Sequence, residues 1–181
     1  MGKRNQRTSD VTHIEMRTVG GAALFSQPVL AGKLIDGLKW SCEHRGLRIY
    51  DYIILPDRLL IIGKTAWGNL DDVIHSYRDF SSKAVMRTLH GLNPVSEISG
   101  LMTIIMDSPQ NRNSMLPQIW DRELIRNHLY SQEDIDRLSQ NIANIPVKMG
   151  WVDQPEHYKL SSACPSHPLE GWILEAVDRW R

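Results

Sequence analysis

Between Leu47 and Lys64 the chain runs through two apolar segments rich in Ile, Leu and Tyr, separated only by Pro56-Asp57. Proline presets the backbone of a turn and aspartate favours it, so the segments are expected to fold back on each other as antiparallel strands. Neighbouring stretches extend the pattern. Residues 13 to 19 alternate His13, Glu15 and Arg17 against Ile14, Met16 and Thr18, which is the period of a strand, and Gly20-Gly21 closes it. Residues 28 to 44 place Val29, Leu30, Leu34, Leu38 and Cys42 at helical spacing, with Gly46 just beyond as a stop. Residues 70 to 89 carry a second helical stripe of Leu70, Ile74, Tyr77, Ala84, Val85 and Leu89. The order β-α-β-β-α opens an α+β fold of the ferredoxin-like kind, an antiparallel sheet with helices packed on it.

Downstream the signals are weaker. The apolar patch from Leu101 to Met106 is expected to be the fourth strand, and the polar stretch Asp107 to Ser114 an exposed loop. Ile135, Leu138, Ile142 and Ile145 then write the core stripe of another helix, stopped at Pro146. A C-terminal amphipathic helix is expected from Pro168, with Leu169, Trp172, Ile173, Ala176, Val177 and Trp180 on one face. Residues 1–165 thus read as one domain and 166–181 as a helical tail.

With 181 residues, 41% of them apolar, the chain can bury one continuous core. Lys and Arg balance Asp and Glu at 21 each, which excludes a disordered tail or a supercharged nucleic-acid coat. The balance hides an asymmetry: residues 1 to 95 hold 13 basic against 9 acidic side chains, and residues 96 to 181 hold 8 against 12. A basic half can face phosphates, although an ordinary solvated surface reads the same way. No apolar run reaches the ~18 to 20 residues needed to cross a bilayer, and the start MGKRNQRTSD lacks the apolar core of a signal peptide. A cytoplasmic protein is expected, with Cys42 and Cys164 as small buried thiols.

Several stretches, taken in order, resemble the single-tyrosine transposases of the HUH superfamily, in particular the REP-associated and insertion-sequence-200-like branch. They are Thr12-His-Ile-Glu-Met-Arg-Thr-Val-Gly-Gly21, Tyr52-Ile-Ile-Leu-Pro-Asp57, Ser76-Tyr-Arg-Asp-Phe-Ser-Ser-Lys83, Ile119-Trp-Asp-Arg122, Ile145-Pro-Val-Lys148 and Tyr158-Lys-Leu-Ser-Ser-Ala163. The family's versions read roughly YHVTFRVVGG, YVIMPNHVH, SFKSFTSK, IWQR, NPVK and YxWSSA. Each motif is weak alone; their succession over residues 10 to 165 is what makes the resemblance specific.

The family's chemistry needs two imidazoles two residues apart on one strand, where period 2 sets both on one face to hold a divalent metal. The resemblance puts those positions on Arg58 and Leu60, neither of which can hold a metal. It puts the nucleophilic tyrosine on Asn141, which cannot form a phosphotyrosine link, and a third metal ligand of some members on Ile145. No metal or other cofactor is therefore expected. Tyr77, Tyr130 and Tyr158 have no matched metal site, and His13 is a single imidazole. His44, His75, His90, His128, His157 and His167 show no ligand spacing.

The residues that would touch DNA, where the family's basic side chains fall or neighbour them, are Arg17, Lys64, Arg78, Lys83, Arg122 and Lys148. Asp57, Asp79 and Asp121 stand against them. The resemblance thus implies a transposase-like DNA-binding protein that has lost cleavage and strand transfer, binding structured single strands such as hairpins and acting as a homodimer. Two other readings stay open, an active transposase with an unrecognised site and a protein-contact module without nucleic acid.

Overall fold

The computed structural model describes residues 11–92 and 96–174. Four strands, β1 (Thr12–Thr18), β2 (Leu47–Leu55), β3 (Arg58–Thr65) and β4 (Trp120–His128), form one sheet in the order β2-β3-β1-β4. Every neighbouring pair is antiparallel. Helices α1 (Pro28–Arg45) and α2 (Leu70–Gly91) connect the strands in the expected order, followed by α3 (Ser96–Met106), α4 (Gln132–Ala143) and the single turn α5 (Ile145–Lys148).

Local chemistry sets the helix ends. Pro28 opens α1, and Gly46 ends it in the left-handed region at φ 74°. Gly46 has a second reason to lack a side chain, because a Cβ there would meet the Trp67 ring at 2.8 Å. Asn69 caps α2 by accepting from Asp71 N at 2.8 Å, and Ser131 caps α4 by accepting from Asp134 N at 3.0 Å.

The strand period divides the sheet into two buried faces. Ile14, Met16, Ile54, Leu59 and Ile61 join the core under α1, α2 and α3. Ile53, Leu55, Leu60 and Ile62 pack on the other side with Ile135 and Ile142 of α4. A β-bulge shifts the register of β2 on β3 between Ile49 and Asp51. Gly63 lies opposite Ile49, and a Cβ on it would come within 2.6 Å of the Arg48 carbonyl oxygen, so the bulge closes only over a glycine.

Two expectations fail. Leu101 to Met106 is not a strand; it is the second half of α3, whose buried residues Ile98, Leu101 and Ile105 recur at helical spacing. The fourth strand is instead Trp120–His128, a largely exposed edge strand studded with Asp121, Arg122, Glu123 and Arg126. Its place is fixed at one end: Trp120 donates its indole N–H to Ser81 Oγ at 2.8 Å and packs against Phe25 and Tyr77.

Residues 168 to 174 are also not helical. They run through turns, with Gly171 at φ 80°, and Ile173 bridges Ile49 on the free edge of β2. Leu174 N–H donates to Ile49 O, and upstream Ile54 N–H donates to Leu160 O and Ser162 N–H to Tyr52 O, so residues 160–162 and 173–174 cover an edge that would otherwise present unpaired backbone. Ala176, Val177 and Trp180 of the expected C-terminal helix lie outside the described residues.

Candidate nucleic-acid interface

The alternation of β1 sends His13, Glu15 and Arg17 to the face opposite Ile14 and Met16, and the β1-β3 register sets Glu15 opposite Leu60 and Arg17 opposite Arg58. Two guanidinium groups facing each other across a ladder repel. Carboxylates resolve the conflict here. Arg58 donates Nε–H and Nη2–H to the two carboxylate oxygens of Asp57, both at 2.9 Å, and Nη1–H to Glu15 Oε1 at 3.2 Å. Arg17 Nε–H donates to the same Glu15 oxygen at 2.6 Å. The paired Asp57 carboxylate, then its charge and that of Glu15, hold the Arg58 guanidinium above its ordinary value even though partial burial pulls the other way.

Arg58, Asp57 and Glu15 form one side of a cavity of about 430 Å³. Its other walls include Leu55, Leu60, Ile145, Met149 and Trp151, so α5 and the turn after it close over the start of β3. Trp151 stacks on Tyr158 with ring centres 6.2 Å apart.

The positions that the resemblance assigns to the metal ligands, Arg58, Leu60 and Ile145, thus line one cavity. Asn141 is exposed on α4 and is not among the lining residues. Among the described residues no group of three or more His, Cys, Asp and Glu side chains could hold a metal ion. Two of the candidate tyrosines, Tyr158 and Tyr77, offer poor nucleophiles. Tyr158 donates its hydroxyl to Ile54 O at 2.9 Å, and burial pushes its phenol up to about 12. Tyr77 is fully buried, which drives its phenol well above the ordinary range.

His13 lies one ladder step from Glu15, paired with Ile62 and Asn127. Its Nδ1 is 3.4 Å from the Asn127 amide, its Nε2 is buried without a hydrogen-bond partner among the described residues, and burial lowers its pKa despite the nearby Glu15 carboxylate. Such an imidazole is kept neutral.

The six expected DNA contacts do not form one patch. Arg17 sits at the Arg58 end of the sheet, and Lys148 is exposed on α5 beside the cavity residue Met149. Lys64 lies six residues along β3 from Arg58, about 20 Å away by strand rise, with its ammonium over the Tyr50 ring. Arg78 donates to the Asp121 backbone carbonyl and ties α2 to β4; burial lowers its pKa in spite of the Asp121 and Asp79 charges. Lys83 is exposed on α2. Arg122 lines a separate cavity of about 490 Å³ with Gly20, Ile104, Asp107, Gln110 and Asp121.

Sequence reasoning missed Glu15, Met149 and Trp151. Glu15 was legible in principle, because it shares the strand period with His13 and Arg17. Trp151 and Met149 belong to no stripe, and only the packing of α5 and the following turn on the sheet brings them to β3.

The structure superposes on that of a REP-associated tyrosine transposase bound to a REP hairpin, with a TM-score of 0.51 and 14% identity, covering 90% of this chain and 81% of that one. The chain has the fold of that transposase. A crystal structure of a transposase candidate from Deinococcus radiodurans is similar as well, with a TM-score of 0.48 and 15% identity over 80% of this chain and 96% of the other. No family model and no curated protein matches the sequence. On this transposase fold, Arg58 and Leu60 sit at the first and third residues of β3, immediately after the Pro56-Asp57 turn.

Proposed function

We propose that this chain is a transposase-like DNA-binding protein that neither cleaves DNA nor transfers strands. The observation that carries the reading is the state of Arg58: the guanidinium is committed to Asp57 and Glu15 where the resemblance requires a metal-holding imidazole, and Leu60 beside it has no donor atom. The neighbouring Ile145 and the exposed Asn141 likewise supply neither a ligand nor a nucleophile. Support for DNA comes from the shared fold and from Arg17, Lys83, Arg122 and Lys148, all exposed. On this reading the preferred ligand is a structured single strand such as a hairpin, no cofactor is used, and the protein works as a homodimer in the cytoplasm. Among the described residues no helix is long and apolar enough to cross a membrane.

A protein-contact module is the second reading. It is favoured by the zero formal net charge and by the pairing of Arg17, Arg58, Arg126 and Arg137 with carboxylates of the chain itself. Fluorescence anisotropy with a labelled DNA hairpin separates the two. Binding at ~50 mM salt is expected, weakening with log salt at a slope near −0.7 per phosphate contact on single strands, and incubation with Mg²⁺ or Mn²⁺ should leave no covalent protein-DNA adduct. An adduct would overturn the loss of cleavage. No binding to hairpin or duplex would leave the protein-contact reading.

A further inference from the structure

We propose that the cavity between Arg58 and Trp151 receives one unpaired guanine base and reads it through the guanidinium of Arg58. The inference rests on the DNA-binding reading above and names what the site would take. Its first support is the donor inventory of Arg58. A guanidinium carries five N–H groups. Asp57 takes the Nε–H and one on Nη2, and Glu15 takes one on Nη1, so among the described residues each terminal nitrogen keeps one donor. Two N–H groups on adjacent nitrogens of a rigid plane match a pair of neighbouring acceptors, and O6 and N7 of guanine are such a pair. Adenine offers an amino group where guanine has O6, and would set donor against donor.

Charge points the same way. Arg17 and Arg58 are balanced within the cluster by Glu15 and Asp57, so an anion placed at Arg58 gains no net Coulomb attraction and meets two carboxylates. A neutral acceptor pair meets no such opposition. The remaining walls suit a flat apolar body: Leu55, Leu60 and Ile145 line the cavity, and Met149 and Trp151 remain 58% and 45% exposed while lining it. An indole steadied against Tyr158 offers a base a ring to stack on without first ordering a flexible side chain. Lys148, exposed and next in sequence to the lining residue Met149, adds a positive charge on the same turn. The cavity, at about 430 Å³, falls within the ~300–1,000 Å³ usual for small-ligand sites.

The test uses the full chain and fluorescent DNA hairpins with a single-stranded thymine overhang, placed on either end of the stem. In parallel probes one overhang thymine, at each position in turn, is replaced by guanine, by adenine or by 7-deazaguanine, which lacks only N7. One guanine position should tighten binding about tenfold or more, and adenine or 7-deazaguanine there should lose that gain. Arg58→Lys keeps the charge but not the paired donors, and should bring the guanine-to-thymine affinity ratio close to one. Equal affinities for all overhangs would overturn the inference and leave DNA binding standing. A guanine preference that survives Arg58→Lys would also overturn it, since the reader would lie elsewhere. Failure of every hairpin to bind would remove the DNA reading and this inference with it. The 7-deazaguanine comparison is made on the unmodified protein, so the test holds even if Arg58→Lys folds poorly.

Discussion

Glu15 bridges Arg17 and Arg58 through one carboxylate oxygen, accepting from Arg17 Nε–H at 2.6 Å and Arg58 Nη1–H at 3.2 Å. Its side chain is only 12% exposed, and it stands one strand period from a directly opposed pair of guanidinium groups. Glu15→Gln should therefore cost about 1–3 kcal/mol, because two charge-assisted hydrogen bonds weaken and the arginines are left facing each other. Thermal unfolding followed by circular dichroism should show a lower Tm, with the deficit narrowing at ~1 M salt as the repulsion is screened. A deficit that grows with salt would contradict this electrostatic account.

Metal binding can be built where it is not expected to occur. Arg58 and Leu60 share a strand face, and Glu15 lies directly across the ladder from Leu60. The double variant Arg58→His and Leu60→His should bind Mn²⁺ or Zn²⁺ with a saturable heat in isothermal titration, with Glu15 as third ligand, and removing Glu15 from it should abolish that heat. The unmodified chain should give no such heat at this site. Losing buried Leu60 should cost about 2 kcal/mol, so the titration belongs below the variant's lowered Tm.

Acid should weaken the fold through His13. Burial lowers its pKa in the folded state, and His167 is lowered for the same reason. At pH values below the ordinary histidine pKa of ~6.5 the unfolded chain therefore binds protons that the folded chain does not. The contribution to stability is full above pH 6.5, falls as pH drops toward the folded-state values, and is constant below them. Urea unfolding at ~pH 7.5 and ~pH 5.5 should show this loss, and His13→Gln should reduce it. An equal loss in the variant would assign the acid sensitivity elsewhere.

The junction between α2 and β4 depends on Ser81. Its hydroxyl accepts the indole N–H of Trp120 at 2.8 Å, and both side chains are fully buried. Ser81→Ala should cost about 1–3 kcal/mol by leaving that N–H unpaired, and the loss should shrink in a Trp120→Phe background, which has no donor to leave unpaired. Denaturant unfolding of the four proteins measures the coupling. Additive effects would show that the hydrogen bond is not what links strand to helix.

Much of the fold is legible in the residues themselves. The Pro56-Asp57 hairpin, the alternation of His13 to Thr18 and the stripes of α1, α2 and α4 each follow from local period and turn chemistry, which do not depend on distant neighbours. The β-α-β-β-α order then allows few topologies. What failed did so where local and tertiary forces differ. The apolar content of Leu101 to Met106 reads as a strand, but a run that short suits either period, and α3 exists because Ile98, Leu101 and Ile105 meet one core. β4 carries little apolar alternation, because as an edge strand it is mostly solvated; Trp120 in its pocket and the free edge of β1 decide its place. The sequence alone determined that Arg58, Leu60 and Asn141 carry no metal-binding imidazole and no tyrosine, since that is a matter of residue type. Only the tertiary structure decided what stands there instead. Glu15 and Trp151 are 136 positions apart in the chain, and they meet at one cavity because strand pairing and the packing of α4 on the sheet bring their segments together.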